Sequence, residues 1–297
     1  MQGGTRYYSI SNYFIERFGC KTVKLSLDAG FTCPNRDGTR GTGGCAFCSA
    51  AGSGDFASSI PEQIQLLKSK WPAVDNYIAY FQSHTNTYAP VDHLRTLYYE
   101  ALNDPAIAGL AIATRPDCLG NDVLDLLEEI NRDHFLWVEL GIQSIHPLTQ
   151  KAMNLCYTTQ DFNEAVQALR SRGIRTVAHL ILGLPGESEE MMFSSHAHVV
   201  AQGVWGLKFH FLNVIKGTRL YEEMPDYVPF DSIEQYTDLV VRLLEHTPPD
   251  ITIHRLTADA PRSLLVAPDW SSRKRTILNT INRELALRDT KQGAAIE

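Results

Sequence analysis

Residues 28–49 read Asp-Ala-Gly-Phe-Thr-Cys-Pro-Asn-Arg-Asp-Gly-Thr-Arg-Gly-Thr-Gly-Gly-Cys-Ala-Phe-Cys-Ser. Eleven residues part Cys33 from Cys45, and two part Cys45 from Cys48. The short gap lets Cys45 and Cys48 face one metal centre from a single turn. Cys33 must reach the same centre across a loop that carries Gly38, Gly41, Gly43 and Gly44. Glycine tolerates positive φ and close backbone approach, so such a loop can wrap a compact group. No nearby histidine or fourth cysteine completes the set. Three thiolates without a fourth suit an iron–sulfur cluster with one iron left open.

The flanks of this loop set the fold class. Residues 22–28 alternate and are β-branched early, which predicts a first strand running into the loop. Beyond it, strands are expected at 76–82, 109–114, 136–143, 176–183 and 206–214. Helices are expected at 61–71, 91–103, 121–132, 161–172, 187–202 and 233–246, with Ser59, Asn121 and Asp161 as caps. Six strand–helix units imply a parallel sheet with right-handed crossovers. The expectation is an α/β fold: a partial (β/α)6 TIM-like barrel over 21–250, with an N-terminal lead-in over 1–20 and a C-terminal helical extension over 251–297. Polar residues collect where the strands end, at Gln82 and Ser83, Arg115, Gln143, Glu187, and Asn213 with Lys216. In α/β barrels that end is the working face, and the cysteine loop lies on it.

Composition narrows the setting. An apolar fraction of 44% in 297 residues is ordinary for a globule with a sizeable core. No apolar run approaches the roughly 20 residues that span a bilayer, and residues 1–8 lack the pattern of a secretory signal. Six irregularly spaced cysteines then point to a reducing compartment, the cytoplasm. A net charge of −7 argues against indiscriminate attraction to nucleic acid. Basic residues do gather near both ends, including Arg6, Arg17, Arg262, Arg273, Lys274, Arg275, Arg283 and Arg288. They read either as a solvated face or as a local phosphate-binding patch.

The cysteine loop resembles the cluster motif of the radical S-adenosylmethionine (SAM) superfamily. Its long first gap is similar to the branch that holds the catalytic subunit of Elongator and the bacterial YhcC-like, MnmL-type proteins. Cys-Pro-Asn-Arg-Asp-Gly-Thr (33–39), Tyr-Phe-Gln-Ser-His-Thr-Asn-Thr-Tyr-Ala-Pro (80–90), Thr-Arg-Pro-Asp (114–117), Glu-Leu-Gly-Ile-Gln-Ser (139–144), Leu-Gly-Leu-Pro-Gly-Glu (182–187) and His-Thr-Pro-Pro (246–249) all resemble the YhcC-like group. The resemblance runs from about Tyr7 to Trp270.

It implies that Cys33, Cys45 and Cys48 hold three irons of a 4Fe-4S cluster. The fourth iron would bind SAM, whose reductive cleavage yields a 5′-deoxyadenosyl radical. Phe47 matches the aromatic position that packs on adenine, and Gln82 and Ser83 match the region contacting the methionyl amino group. His179 lies where relatives place a polar SAM contact. Glu139 and Gln143 share one strand parity, so both point inward and need partners; SAM or an internal polar network would supply them. Relatives carry an arginine for the SAM carboxylate where this chain has Leu155, and Arg115 is a candidate substitute. Arg115, Lys216 and Cys156 are the catalytic candidates, while Cys20 and Cys118 read as plain buried thiols.

The resemblance further implies remodelling of the C5 substituent of a tRNA wobble uridine, with tRNA as partner, reduced flavodoxin or ferredoxin as electron donor, and no membrane. The chain has no obvious acetyltransferase domain. Radical chemistry on a small metabolite or peptide is the alternative. Of a different class is a zinc module, with a ligand such as His84 added to the cysteines, in a nucleic-acid-binding protein. Cys33→Ala, Cys45→Ala or Cys48→Ala is expected to abolish reductive SAM cleavage, whereas Cys118→Ala is not. Assay of 5′-deoxyadenosine in each anaerobically reconstituted variant checks this.

Overall fold

The computed structural model describes residues 6–49 and 58–296. The first five residues of the lead-in, on which the reading of a missing signal partly falls, and Glu297 of the extension lie outside the described residues.

Seven parallel strands form one curled sheet: β1 (Thr22–Leu27), β2 (Asn76–Phe81), β3 (Ile107–Thr114), β4 (Phe135–Gln143), β5 (Arg175–Leu182), β6 (Gly206–Phe211) and, after a short strand that belongs to a separate two-stranded sheet, β8 (Thr252–Arg255). The order follows the chain, as consecutive right-handed crossovers demand. The expected partial α/β barrel is present. It has seven strands rather than six, because 252–255 enters the sheet beside β6. This run is only four residues long and follows Pro248 and Pro249, so it carries little periodic signal. The expected sixth strand is also shorter. It stops at Phe211, and β7 (Val214–Ile215) turns away to pair antiparallel with β9 (Leu265–Ala267).

Helices coat the outer face of the sheet: α2 (Ile60–Lys68), α3 (Val91–Leu102), α4 (Asn121–Asp133), α6 (Thr159–Ser171), α7 (Glu189–Ala201), α9 (Ile233–Glu245) and α10 (Lys274–Leu287). Their apolar stripes bury Ile64, Tyr98, Leu127, Phe162, Tyr236 and Ile281 against it. Ser59 caps α2 in a capping box with Glu62, as expected. Two caps shift. Gly120, not Asn121, precedes α4, and Thr158, not Asp161, caps α6. Asp161 is the third residue of that capping box and reaches back to the Thr158 amide at 2.6 Å. Two short helices were not expected, α5 (Pro147–Ala152) and α8 (Arg219–Glu223). Each is too short to show a period.

Inside the sheet the side chains lie in layers. At the N-terminal ends of the strands, α1 (Ile10–Phe18) closes the lumen. Its Ile10 and Phe14 pack with Phe135, Trp137, Ile78 and Val177. The backbone just before α1 meets the edge strand β8, Ile253 N donating to Tyr8 O at 2.7 Å. Buried Gln292 accepts from Tyr8 N and donates to the carbonyls of Pro248 and Ile251, tying both chain ends to that strand.

Above this plug lies a charged layer. Glu139 accepts from Lys208 Nζ at 2.9 Å, Tyr80 OH at 2.6 Å and Trp137 Nε1 at 3.2 Å, and Lys24 Nζ stands 3.8 Å away. Burial would raise the Glu139 carboxyl, but Lys208 and then Lys24 hold it well below its ordinary 4.5. Removing one partner of a buried pair costs about 3–5 kcal/mol. Glu139→Gln is therefore expected to lose stability of that order at neutral pH in urea unfolding. The wild-type carboxylate stabilises above the pH where an unfolded carboxyl titrates, and loses this contribution as pH falls through its depressed folded value. The gap between variant and wild type is thus expected to narrow below pH 4.5.

Candidate active site

The C-terminal ends of the strands are open, and the cysteine loop lies across them. Pro34 O accepts from the amides of Arg40 and Gly41, and Asn35 O from Gly44 N at 2.7 Å, which folds the glycine-rich segment onto itself. Cys48 N donates to Cys45 O at 2.9 Å, making the tight turn that the spacing predicts. Arg36 Nη2 donates to the carbonyls of Cys48 and Ser49 and clamps the end of the loop. Gly43 and Gly44 have φ of +77° and +78°, where a side chain is strained. Gly41 is needed for another reason: an added Cβ would strike Asn35 Oδ1 and lie 2.8 Å from Cys156 Sγ.

The loop is held from below by the segment after α5. Ala46 N donates to Met153 O, and Leu220 N donates to Ala46 O, both at 2.9 Å. Asn35 Nδ2 donates to Asn154 O at 2.5 Å and points at Cys45 Sγ at 3.7 Å. Asn154 Nδ2 in turn donates to Gly44 O at 2.8 Å. Leu155 is fully buried among Ala46, Met153, Tyr157 and Leu220, with Cys45 and Phe47 packed against the group. An arginine there would bury a charge beneath the loop.

Arg115 comes close instead, but its donors are committed. It forks onto Asp117 at 2.9 and 2.8 Å, and donates to the carbonyls of Leu155 at 2.9 Å and Cys156 at 3.3 Å. It also lies over the Tyr157 ring at 4.9 Å. This guanidinium braces the 154–157 segment and sets a positive charge beside the Cys45 and Cys33 thiols.

All six cysteines are free. Burial, and then Cys48, push the Cys45 thiol up to about 12, a cost that bound cationic iron reverses by taking the thiolate. Among the described residues no three His, Cys, Asp or Glu side chains converge tightly enough for a single metal ion. The rim also holds unpartnered buried polar atoms: Ser83 Oγ after β2, Gln143 Oε1 on β4, His179 Nε2 on β5, His210 Nε2 on β6 and Asn213 Oδ1 beyond it. Buried polar atoms call for partners, so the donor set fits a polar ligand beside the cluster.

Phe47, Gln143, His179, His210 and Asn213 line one cavity of about 160 Å³. The structure thus brings together Cys33, Cys45, Cys48, Phe47, Gln143 and His179. It separates Glu139, which sits in the charged layer two residues below the level of His179, about 7 Å by strand rise, with both oxygens taken. The strict alternation expected from Glu139 to Gln143 is interrupted by a register shift after Gly141, and Gln143 has φ +63°. Cys156 is exposed, has φ +58°, and its Sγ lies 3.5 Å from Asn154 Oδ1. Lys216 is exposed just after β7 and does not line the cavity. Gln82 is half-buried at the end of β2. Asn35, His210 and Lys208 were not singled out in the sequence. His210 and Lys208 share the parity of one strand, a signal that would have found them.

Comparison with known proteins follows this geometry. The radical SAM superfamily profile matches residues 36–195, and that of the Radical_SAM C-terminal domain matches 204–286. The YtqA protein of Bacillus subtilis is 42% identical over 97% of the chain and 92% of its own length. Protein YhcC of Escherichia coli is 38% identical over 91% and 89%. Elongator complex protein 3 of Schizosaccharomyces pombe is 30% identical over 53% of the chain and 29% of that protein. In fold, the chain is similar to the archaeal Methanocaldococcus infernus Elp3 with an N-terminal deletion, at TM-score 0.66 and 18% identity. The match covers 91% of this chain and 64% of that one.

Groups that orient metal ligands are worth about 10- to 100-fold in metal affinity. Asn35→Ala is expected to weaken iron retention on this scale, read as iron per chain after anaerobic reconstitution and chelator challenge, with the circular dichroism spectrum unchanged.

Proposed function

The chain belongs to the radical SAM superfamily, and from that premise we propose that it remodels the C5 substituent of a wobble uridine in tRNA. Members of the superfamily use a 4Fe-4S cluster and SAM, and this chain is such an enzyme; the zinc module gives way to it. When bound, the two groups supply reductive cleavage of a sulfonium C–S bond and a hydrogen-abstracting radical. Cys33, Cys45 and Cys48 would hold the cluster. Phe47, Gln143 and the polar atoms of the rim would hold SAM, with Ser83 at its amino end.

The observation that carries the tRNA reading is the twofold likeness to Elongator complex protein 3, in sequence and in fold. The chain spans under two thirds of those relatives, so their whole activity is not transferred to it. The electron donor would be a reduced flavodoxin or ferredoxin in the cytoplasm. Among the described residues no helix is long and apolar enough to cross a membrane.

The basic C-terminal residues would serve as the RNA-facing patch. Lys274 is paired with Asp259, and Arg288 with Asp238 at 2.9 Å, while Arg262, Arg273 and Arg275 are exposed. Arg262→Ala, Arg273→Ala and Arg275→Ala combined are expected to weaken tRNA binding about tenfold and to flatten its salt dependence, while uncoupled 5′-deoxyadenosine formation persists. Filter binding across a salt series checks the first and chromatography the second. Nucleoside mass spectrometry of total tRNA from cells with and without the gene tests the substrate. An unchanged nucleoside profile sinks it in favour of a small metabolite or peptide.

A further inference from the structure

The sheet curls but does not close. β1 and β8 form its two edges and do not pair with each other. α1 packs against both strands and bridges the gap at their N-terminal ends. Above that bridge two cations flank the gap, Lys24 on β1 and Arg255 on β8. Their side chains are 22% and 26% exposed, so both meet solvent. Behind them Lys208, the register partner of Arg255, is buried.

The charges here do not balance. Lys24 and Lys208 share Glu139, and Arg255 shares Asp259 with Lys274. Among the described residues no other carboxylate is ion-paired with these three lumen cations. Their donors are also unspent. An ammonium carries three N–H groups, and Lys208 uses two of them, on Tyr80 OH at 2.8 Å and Glu139 at 2.9 Å. Lys24 Nζ stands 3.8 Å from Glu139, longer than a good hydrogen bond. It otherwise faces the rings of Tyr80 and Trp137. Burial, aided by Lys208 and Arg255 and opposed by Glu139, lowers the Lys24 ammonium to about 8. Burial likewise lowers Lys208 and Arg255.

A buried cation is costly unless an anion meets it. The guanidinium fork matches a carboxylate or a phosphate, and the two ammonium groups add point charges beside it. We infer that Lys24, Lys208 and Arg255 form an oxyanion subsite at the lateral opening of the barrel, which takes a carboxylate or phosphate of the substrate. None of the three lines the rim cavity, whereas Asp259, the partner of Arg255, does. The subsite therefore adjoins the place of SAM without competing for it. It is independent of the tRNA reading, because it names only the charge of one substrate group.

Lysine labelling tests the subsite. The reconstituted protein, with SAM saturating, is acetylated with acetic anhydride near pH 8, where Lys24 is partly neutral. Peptide mass spectrometry reads the rate at each lysine. The probe is inorganic phosphate, set against chloride at equal ionic strength. Phosphate is expected to slow acetylation of Lys24 about tenfold at about ten times its half-saturating concentration. The exposed Lys70 is expected to keep its rate. Arg255→Gln is expected to raise the half-saturating concentration about tenfold, the scale of one lost charged hydrogen bond. Arg255→Lys is expected to recover part of the loss. Cluster absorbance at about 400 nm shows that each variant is folded and loaded. Equal Lys24 rates in phosphate and chloride, or protection that Arg255→Gln leaves unchanged, overturn the subsite.

Two anticodon stem-loops then tell which group supplies the oxyanion. One carries 5-carboxymethyluridine at the wobble position, and the other carries its methyl ester. Protection of Lys24 by the acid alone assigns the subsite to a carboxylate on C5. Equal protection by both assigns it to a backbone phosphate. Protection by inorganic phosphate but by neither stem-loop supports the subsite and overturns the tRNA substrate.

Discussion

A carboxylate sealed in the middle of the barrel is the constraint to which the rest of the lumen answers. Glu139 is 2% exposed, and an ionised carboxyl in such a place costs several kcal/mol unless charge and hydrogen bonds compensate. Its partners come from four strands: Lys24 on β1, Tyr80 on β2, Trp137 on its own strand, and Lys208 on β6. These reach one point only if the sheet curls, so the ion pair and the curvature require each other. The layer also divides the lumen. Below it the aromatic rings of α1, β4 and the start of β6 fill the space. Above it a cavity opens among Phe47, Gln143, His179 and His210.

The cysteine loop depends on a second constraint, a support built from backbone carbonyls. Its turn rests on Met153, and the 154–157 segment is pinned by Arg115 from the end of β3. Leu155 fills the space beneath it. The role of Leu155 in this segment is therefore packing. Among the described residues, four of the five non-glycine positions with positive φ, His84, Gln143, Asn154 and Cys156, stand at this end of the barrel. Such backbone persists where surrounding contacts over-determine it, and it gathers at working sites.

The strand–helix alternation was legible because each unit carries its own period and its own punctuation. The cap of α2 was legible from Ser59 just ahead of Pro61, and folding added Glu62 to it. Strand β8 and the helices α5 and α8 escaped notice because two to four apolar residues cannot establish a period. The parity that joined Glu139 to Gln143 was sound up to Gly141 and failed where the register slips. Asn35 stood within a quoted motif, yet its role is a contact with Asn154 and Cys45 that no local pattern announces.

Local order along the chain sufficed for the α/β class, the direction of the strands, the face where chemistry gathers and the three thiols of the loop. All of these depend on neighbours a few residues apart, and on the rule that parallel strands open their working end at their C-termini. Folding alone decided which inward residues are spent and which are free. Glu139 is consumed by groups 59 and 69 positions away, and Lys208 meets Tyr80 across 128. His179 and His210, on the same lumen face, keep Nε2 atoms without partners. Burial and pairing at such separations arise from the curl of the whole sheet, which no single stretch of sequence encodes.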